Sequence, residues 1–174
     1  MSLAAIVQSP AYRGALYALL AVNALYFAWQ GTRSEALDAA AWLVLLALFD
    51  VETRWPEWLH SGRRHALLRL VRLAAAAGVV AAMAGYAVEE DVLDAVNSVL
   101  WIAVVILLEA EVRFPELVSK ARNTFTAAAA LLYGGLAVLV VLWAVKGMWF
   151  DAYDALLWLI AFSTLELNVL RKPG

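Results

Sequence analysis

The stretch Val92–Val112 reads VLDAVNSVLWIAVVILLEAEV. Its middle is unbroken apolar sequence, and its polar residues gather near the two ends. About 20 mostly apolar residues suffice for one helix to cross a bilayer, so this stretch predicts a crossing. Five others share its character: Ala11 to Gln30, Leu37 to Val51, Leu68 to Val88, Thr124 to Val145 and Ala152 to Val169. The second of the six crossings, Leu37 to Val51, is the shortest and carries Asp50 near its end. The connections between them are short, which leaves no room for a soluble domain. The expected fold is an all-α integral membrane protein, a single membrane domain over residues 1–174 with six transmembrane helices.

Composition agrees. The chain has 174 residues, of which 65% are hydrophobic and 16% charged. Ordinary soluble domains carry roughly 25% charged residues, so a water-soluble globular protein and a disordered one are both excluded. The net charge of −2 gives no global basic field for nucleic acid. No cysteine is present, which removes disulfides, thiolate metal sites and a Cys nucleophile. The N-terminus lacks a basic region followed by a small-residue cleavage site, so no signal peptide is expected.

Lys and Arg set the orientation. Arg13, Arg54, Arg63, Arg64, Arg69, Arg72, Arg113, Lys120, Arg122, Arg171 and Lys172 fall on one side of the six crossings; Arg33 and Lys146 fall on the other. This predicts both termini in the cytoplasm. Glu89, Glu90, Asp91 and Asp94 then cluster in one external turn. Trp55, Trp58 and Phe114 are expected as anchors at the cytoplasmic interface, and Trp29, Trp143 and Trp149 at the external one. The basic connection 57–66 is expected to lie at the cytoplasmic surface, with anionic lipid as its partner.

The chain also repeats itself. Trp42, Trp101 and Trp158 stand 59 and 57 residues apart. Four residues before each comes Asp38, Asn97 or Asp154; eight after comes Asp50, Glu109 or Glu166; ten after comes Glu52, Glu111 or Asn168. The first two copies continue Arg54-Trp55-Pro56-Glu57 and Arg113-Phe114-Pro115-Glu116. The pattern predicts one helical hairpin used three times, over about 11–58, 66–116 and 123–174, around a pseudo-threefold axis. The odd crossings are rich in Ala and Gly, with Ala74 and Gly78, and Ala81 and Gly85, at small-xxx-small spacing. Such residues let helix backbones approach closely in lipid.

Catalytic groups are scarce. His60 and His65, the two histidines, lie in the basic connection, outside any crossing, so neither haem nor zinc is expected. No nucleophile elbow, P-loop or dinucleotide fingerprint occurs. Ser163 and Thr164 are expected to bond a carbonyl one turn back. No enzyme activity, cofactor or metal follows from such a sequence.

The acids at the cytoplasmic ends of the even crossings are the candidates, because ionisable groups in or beside a membrane need a partner or a wet cavity. Asp50 and Arg54, and Glu109 and Arg113, are spaced for i, i+4 ion pairs. Glu166 has Leu170 at that position instead. The positions eight and ten after each Trp lie about 160° apart on a helix. Asp50, Glu109 and Glu166, acidic in all three copies, form the expected inward set for cations or protons. Glu52, Glu111, Asn168, Arg54 and Arg113 support them. Asp38, Asn97 and Asp154 make an external ring whose simplest role is N-capping.

Leu108-Glu109-Ala110-Glu111-Val112-Arg113-Phe114, and less closely Phe49-Asp50-Val51-Glu52-Thr53-Arg54, resemble the second helix of voltage-sensor domains. That helix carries an acid four residues before a basic residue at its cytoplasmic end. The resemblance covers this motif and its hairpin, and implies a channel-like ancestry; no stretch here carries arginine at every third position. Two functions follow as expectations. The first is a small non-enzymatic membrane protein that serves as an accessory or structural subunit, with other membrane subunits or further copies of itself as partners. The alternative is a cation or proton channel or transporter built on the carboxylate ring.

Overall fold

A computed structural model describes residues 9–54 and 62–169, apart from the side chains of residues 10, 53, 54, 112 and 165–169. The described residues form helices and short turns, with no strand among them. The helices are α1 (Pro10–Gln30), α2 (Arg33–Arg54), α3 (Gly62–Val88), α4 (Val92–Arg113), α5 (Pro115–Lys120), α6 (Arg122–Val145) and α7 (Trp149–Val169). Each of the six apolar stretches therefore lies within one long helix. Three helices are long and apolar enough to cross a membrane: Gly62–Val88, the Val92–Glu111 portion of α4, and Arg122–Val145. Helix α2 falls short because Arg33, Glu35, Asp38, Asp50, Glu52 and Arg54 dilute it.

Helix α3 runs further than its apolar stretch. It starts at Gly62, so residues 62–66 of the expected interfacial connection are its first turns. Trp55, Pro56, Trp58 and His60 lie outside the described residues.

The contacts divide the chain into two units, Leu19–Ala95 and Met1–Ala18 with Val96–Gly174. In the first, α2 and α3 pack closely. They run antiparallel, since Ser34 meets Gly85 while Ala41 and Leu37 meet Gly78. Helix α3 buries Ala75, Val79, Ala82 and Tyr86, one stripe at spacings of four, three and four. A Cβ on Gly78 would sit 3.3 Å from the Cβ of Ala41, and one on Gly85 only 2.1 Å from Ser34 Oγ. The small-xxx-small pairs are thus split: each glycine packs against α2, while Ala74 and Ala81 face outward.

In the second unit, α6 and α7 form a closely packed hairpin. Leu136, Leu139 and Trp143 are buried from α6, and Ala152, Ala155, Leu157 and Ala161 from α7. A Cβ on Gly135 would meet Leu100 Cδ1 of α4 at 3.2 Å. The short α5 starts with Pro115 in its first turn, directly after α4 ends. Proline there lacks only an N–H that a helix start leaves unpaired. Trp29 and Trp149 are 83% and 70% exposed and Phe114 is 57% exposed. Trp143 is not an anchor: it is 1% exposed, on the buried stripe of α6 four residues after Leu139.

The turns after α3 and α6 share one hydrogen-bond pattern. Asp91 N–H donates to the Tyr86 carbonyl at 3.0 Å, and Met148 N–H to the Trp143 carbonyl at 2.9 Å. Each is the six-to-one bond of a Schellman cap, and the two stand 57 residues apart. The residue at the left-handed position is Gly147 in one turn (φ 79°) and Glu90 in the other (φ 60°). A residue with a Cβ is disfavoured there by about 1 kcal/mol. Replacing Glu90 by glycine is therefore expected to stabilise the protein by about 1 kcal/mol, read as a raised Tm in detergent; a lowered Tm would mean that the Glu90 side chain has a stabilising role of its own.

The Gly85 contact yields a second expectation. Gly85→Ala forces the Ser34 hydroxyl away and costs about 1–3 kcal/mol. Adding Ser34→Ala removes the clashing oxygen, so the double variant should regain much of that loss in a thermal-unfolding cycle. Additive losses would contradict the contact.

Candidate functional site

The three tryptophans hold a common register. Helices α2, α4 and α7 each begin nine residues before their tryptophan, at Arg33, Val92 and Trp149. Asp38, Asn97 and Asp154 consequently each lie five residues inside a helix. This corrects their expected capping role, since a cap stands outside the first helical residue. Thr32 caps α2 instead. Its hydroxyl accepts from Glu35 N–H at 3.2 Å, and its own N–H donates to the Glu35 carboxylate, which makes a reciprocal capping box. Asp91 caps α4, accepting from Asp94 N–H at 3.2 Å.

Trp42 and Trp101 are buried. In the second unit, Phe162 joins two of the anchors: its ring centroid is 4.5 Å from that of Trp101 and 6.2 Å from that of Trp158. The contact with Trp158 is one turn along the same helix, whereas the contact with Trp101 holds α7 to α4. Phe162 stands outside the repeat pattern, since Leu46 and Val105 occupy its place in the other copies.

Where α2 begins and α3 ends, Ser34 donates a hydrogen bond to Glu89 Oε1 at 2.8 Å. Tyr86, 3% exposed, lies in the field of Asp38, Asp94, Glu35 and Asp91. The expected acidic turn thus faces a second set of acids from the start of α2. Among the described residues, no group of three or more His, Asp or Glu side chains is placed to hold a metal.

Two of the candidate acids are engaged with arginine. Glu109 pairs with Arg113 Nε on its own helix, the i, i+4 partner its spacing indicates. Both side chains are more than half exposed. Glu52 pairs with Arg72 Nη2, which ties the end of α2 to the start of α3. Nothing in local spacing indicates this second pair, because its members are 20 residues apart. Asp50 and Glu111 are half-buried and also have interaction partners. The side chains of Arg54, Glu166 and Asn168 lie outside the described part. Asp50 belongs to one unit and Glu109 and Glu166 to the other.

Thr164 donates to the Ile160 carbonyl at 2.7 Å, the one-turn-back bond expected of it. Ser98 was not legible as special. Ser98 Oγ and Trp143 Nε1 are buried with no hydrogen-bond partner among the described residues, as is Asn97 Oδ1. Comparison with protein-family models, with curated proteins and with solved structures yields no match.

An exposed i, i+4 pair contributes about 0.2–0.5 kcal/mol. Glu109→Gln is therefore expected to shift stability by no more than about 0.5 kcal/mol. A thermal-unfolding loss several times larger would show that the carboxylate has a partner besides Arg113.

Proposed function

We propose that the chain is a six-crossing membrane protein with both termini in the cytoplasm, which acts without catalysis as a structural or accessory subunit of a membrane assembly. One observation carries this reading. Helices α3 and α6 each turn a line of small residues outward: Ala74, Ala77, Ala81 and Ala84 on one, Ala127, Ala130, Gly134 and Ala137 on the other. Gly134 has open space where a Cβ would stand. Between membrane helices, close backbone approach over small residues drives association, and these two lines suit a further membrane helix. The paired state of Glu52 and Glu109 is consistent with a structural role for those acids.

On this reading the three hairpins, 11–58, 66–116 and 123–174, descend from one ancestor around a pseudo-threefold axis. The common register of α2, α4 and α7 and the matched Schellman turns support that descent. A cation or proton path along Asp50, Glu109 and Glu166 is the rival reading.

Purification from the native membrane in mild detergent, followed by mass spectrometry, tests the proposal. Stoichiometric recovery of a larger membrane protein, lost in Gly134→Leu while the chain itself stays soluble in detergent, is the expected result. Recovery of the chain alone, with vesicle cation flux abolished by Glu109→Gln, would overturn it in favour of the rival.

A further inference from the structure

Helix α3 is 27 residues long, about 40 Å at 1.5 Å per residue. The hydrocarbon layer takes about 20 of those residues. Counted back from Val88, where the helix meets the acidic turn Glu89–Asp91, that length ends at Arg69. Arg69 therefore falls at the cytoplasmic edge of the hydrocarbon, Arg72 one turn within it and His65 one turn outside. Lipid phosphates lie just outside that edge, at the level of Arg69 and His65, and the long Arg72 side chain can reach back to it.

The three also share a flank. At about 100° per residue, His65, Arg69 and Arg72 fall within about 60° of one another around the helix axis. All three are exposed. Arg72 is held by Glu52 of α2. A guanidinium carries five N–H donors in a planar fork, so one carboxylate oxygen does not exhaust it. Below Arg69 the same edge of the helix continues as Leu73, Ala76 and Val80, all exposed. Leu73 is 62% exposed and Val80 53%. A basic ledge at phosphate depth thus stands over an apolar line that runs into the membrane.

We infer that this flank of α3 is a binding site for an anionic phospholipid, whose headgroup phosphate is held by Arg69, Arg72 and His65 and whose acyl chain lies along Leu73, Ala76 and Val80. Charge complementarity and depth select this occupant. A zwitterionic lipid brings a cation with its phosphate, and a free phosphate makes no use of the apolar line. The inference rests on the membrane placement proposed above but not on the accessory role.

Native mass spectrometry of the full chain in detergent tests it, with phosphatidylglycerol or phosphatidylcholine added in equal amounts. Phosphatidylglycerol should be retained in preference. His65→Gln combined with Arg69→Gln should lower its occupancy at least severalfold, since one Lys or Arg near the surface contributes a severalfold preference by itself. Arg63→Gln, about 120° round the helix from Arg69, should leave occupancy unchanged, and Arg69→Lys should keep most of it. Millimolar inorganic phosphate should not displace the lipid. Equal retention of the two lipids by the unaltered chain would overturn the site, and needs no variant to be read. Equal loss in Arg63→Gln, or displacement by phosphate alone, would overturn it as well. If the chain instead leaves the membrane fraction without detergent, the membrane placement itself fails, and that result is distinct from equal retention.

Discussion

A lipid environment offers no water to a backbone N–H or carbonyl, so each must find its partner within the chain. That constraint accounts for the uniformly helical structure and for the attention given to helix ends, where four groups at each terminus lack an intrahelical partner. Thr32 with Glu35, and Asp91, serve the starts of α2 and α4. The Tyr86 and Trp143 carbonyls are taken up by the turns that follow α3 and α6. The turn after α3 forms even though Glu90 must adopt a left-handed backbone to close it. The hydrogen bond to the Tyr86 carbonyl is retained at the expense of local strain.

Once helices are imposed, the apolar effect no longer chooses which faces meet, because lipid tails are as apolar as leucine. Shape decides instead. Helix α3 meets α2 through Gly78 and Gly85, where a methyl group would collide with Ala41 or Ser34. Close approach at Gly85 also brings Ser34 within reach of Glu89, so a packing feature and a polar contact depend on the same missing Cβ. The alanines on the outer face of α3 have no such neighbour. The same residue types thus serve an interior contact on one side and leave a smooth surface on the other.

Much of this was readable in the chain. The six apolar stretches locate the six long helices, because hydropathy reports the property that membrane insertion selects. It fails at helix ends, where the backbone continues through polar residues. Helix α2 begins at Arg33, before Leu37, and α3 begins at Gly62, before Leu68. The Thr32-Arg33-Ser34-Glu35 capping box was legible as a spacing, yet Asp38 drew the capping assignment because it stands at the edge of the apolar run. Glu109 with Arg113 was legible because both lie on one helix. Glu52 with Arg72, and Phe162 with Trp101, join different helices, and periodicity along one helix carries no information about which turn of another lies opposite. Ala74 and Gly78 looked equivalent by spacing; only the crossing of α2 separates the one that packs from the one that does not.

The arginines make the same point about charge. Arg113 lies one turn from its acid on the same helix. Arg72 is bound to an acid on a neighbouring helix, and so the pair resists sliding of α3 along α2. An exposed ion pair of this kind adds little stability by itself, about 1 kcal/mol or less. Its larger consequence is positional: a long, flexible side chain that would otherwise sample many rotamers is kept on the flank that Arg69 and His65 share. Two acid–arginine pairs of like chemistry therefore differ in what they can do, because one spans two helices and the other does not.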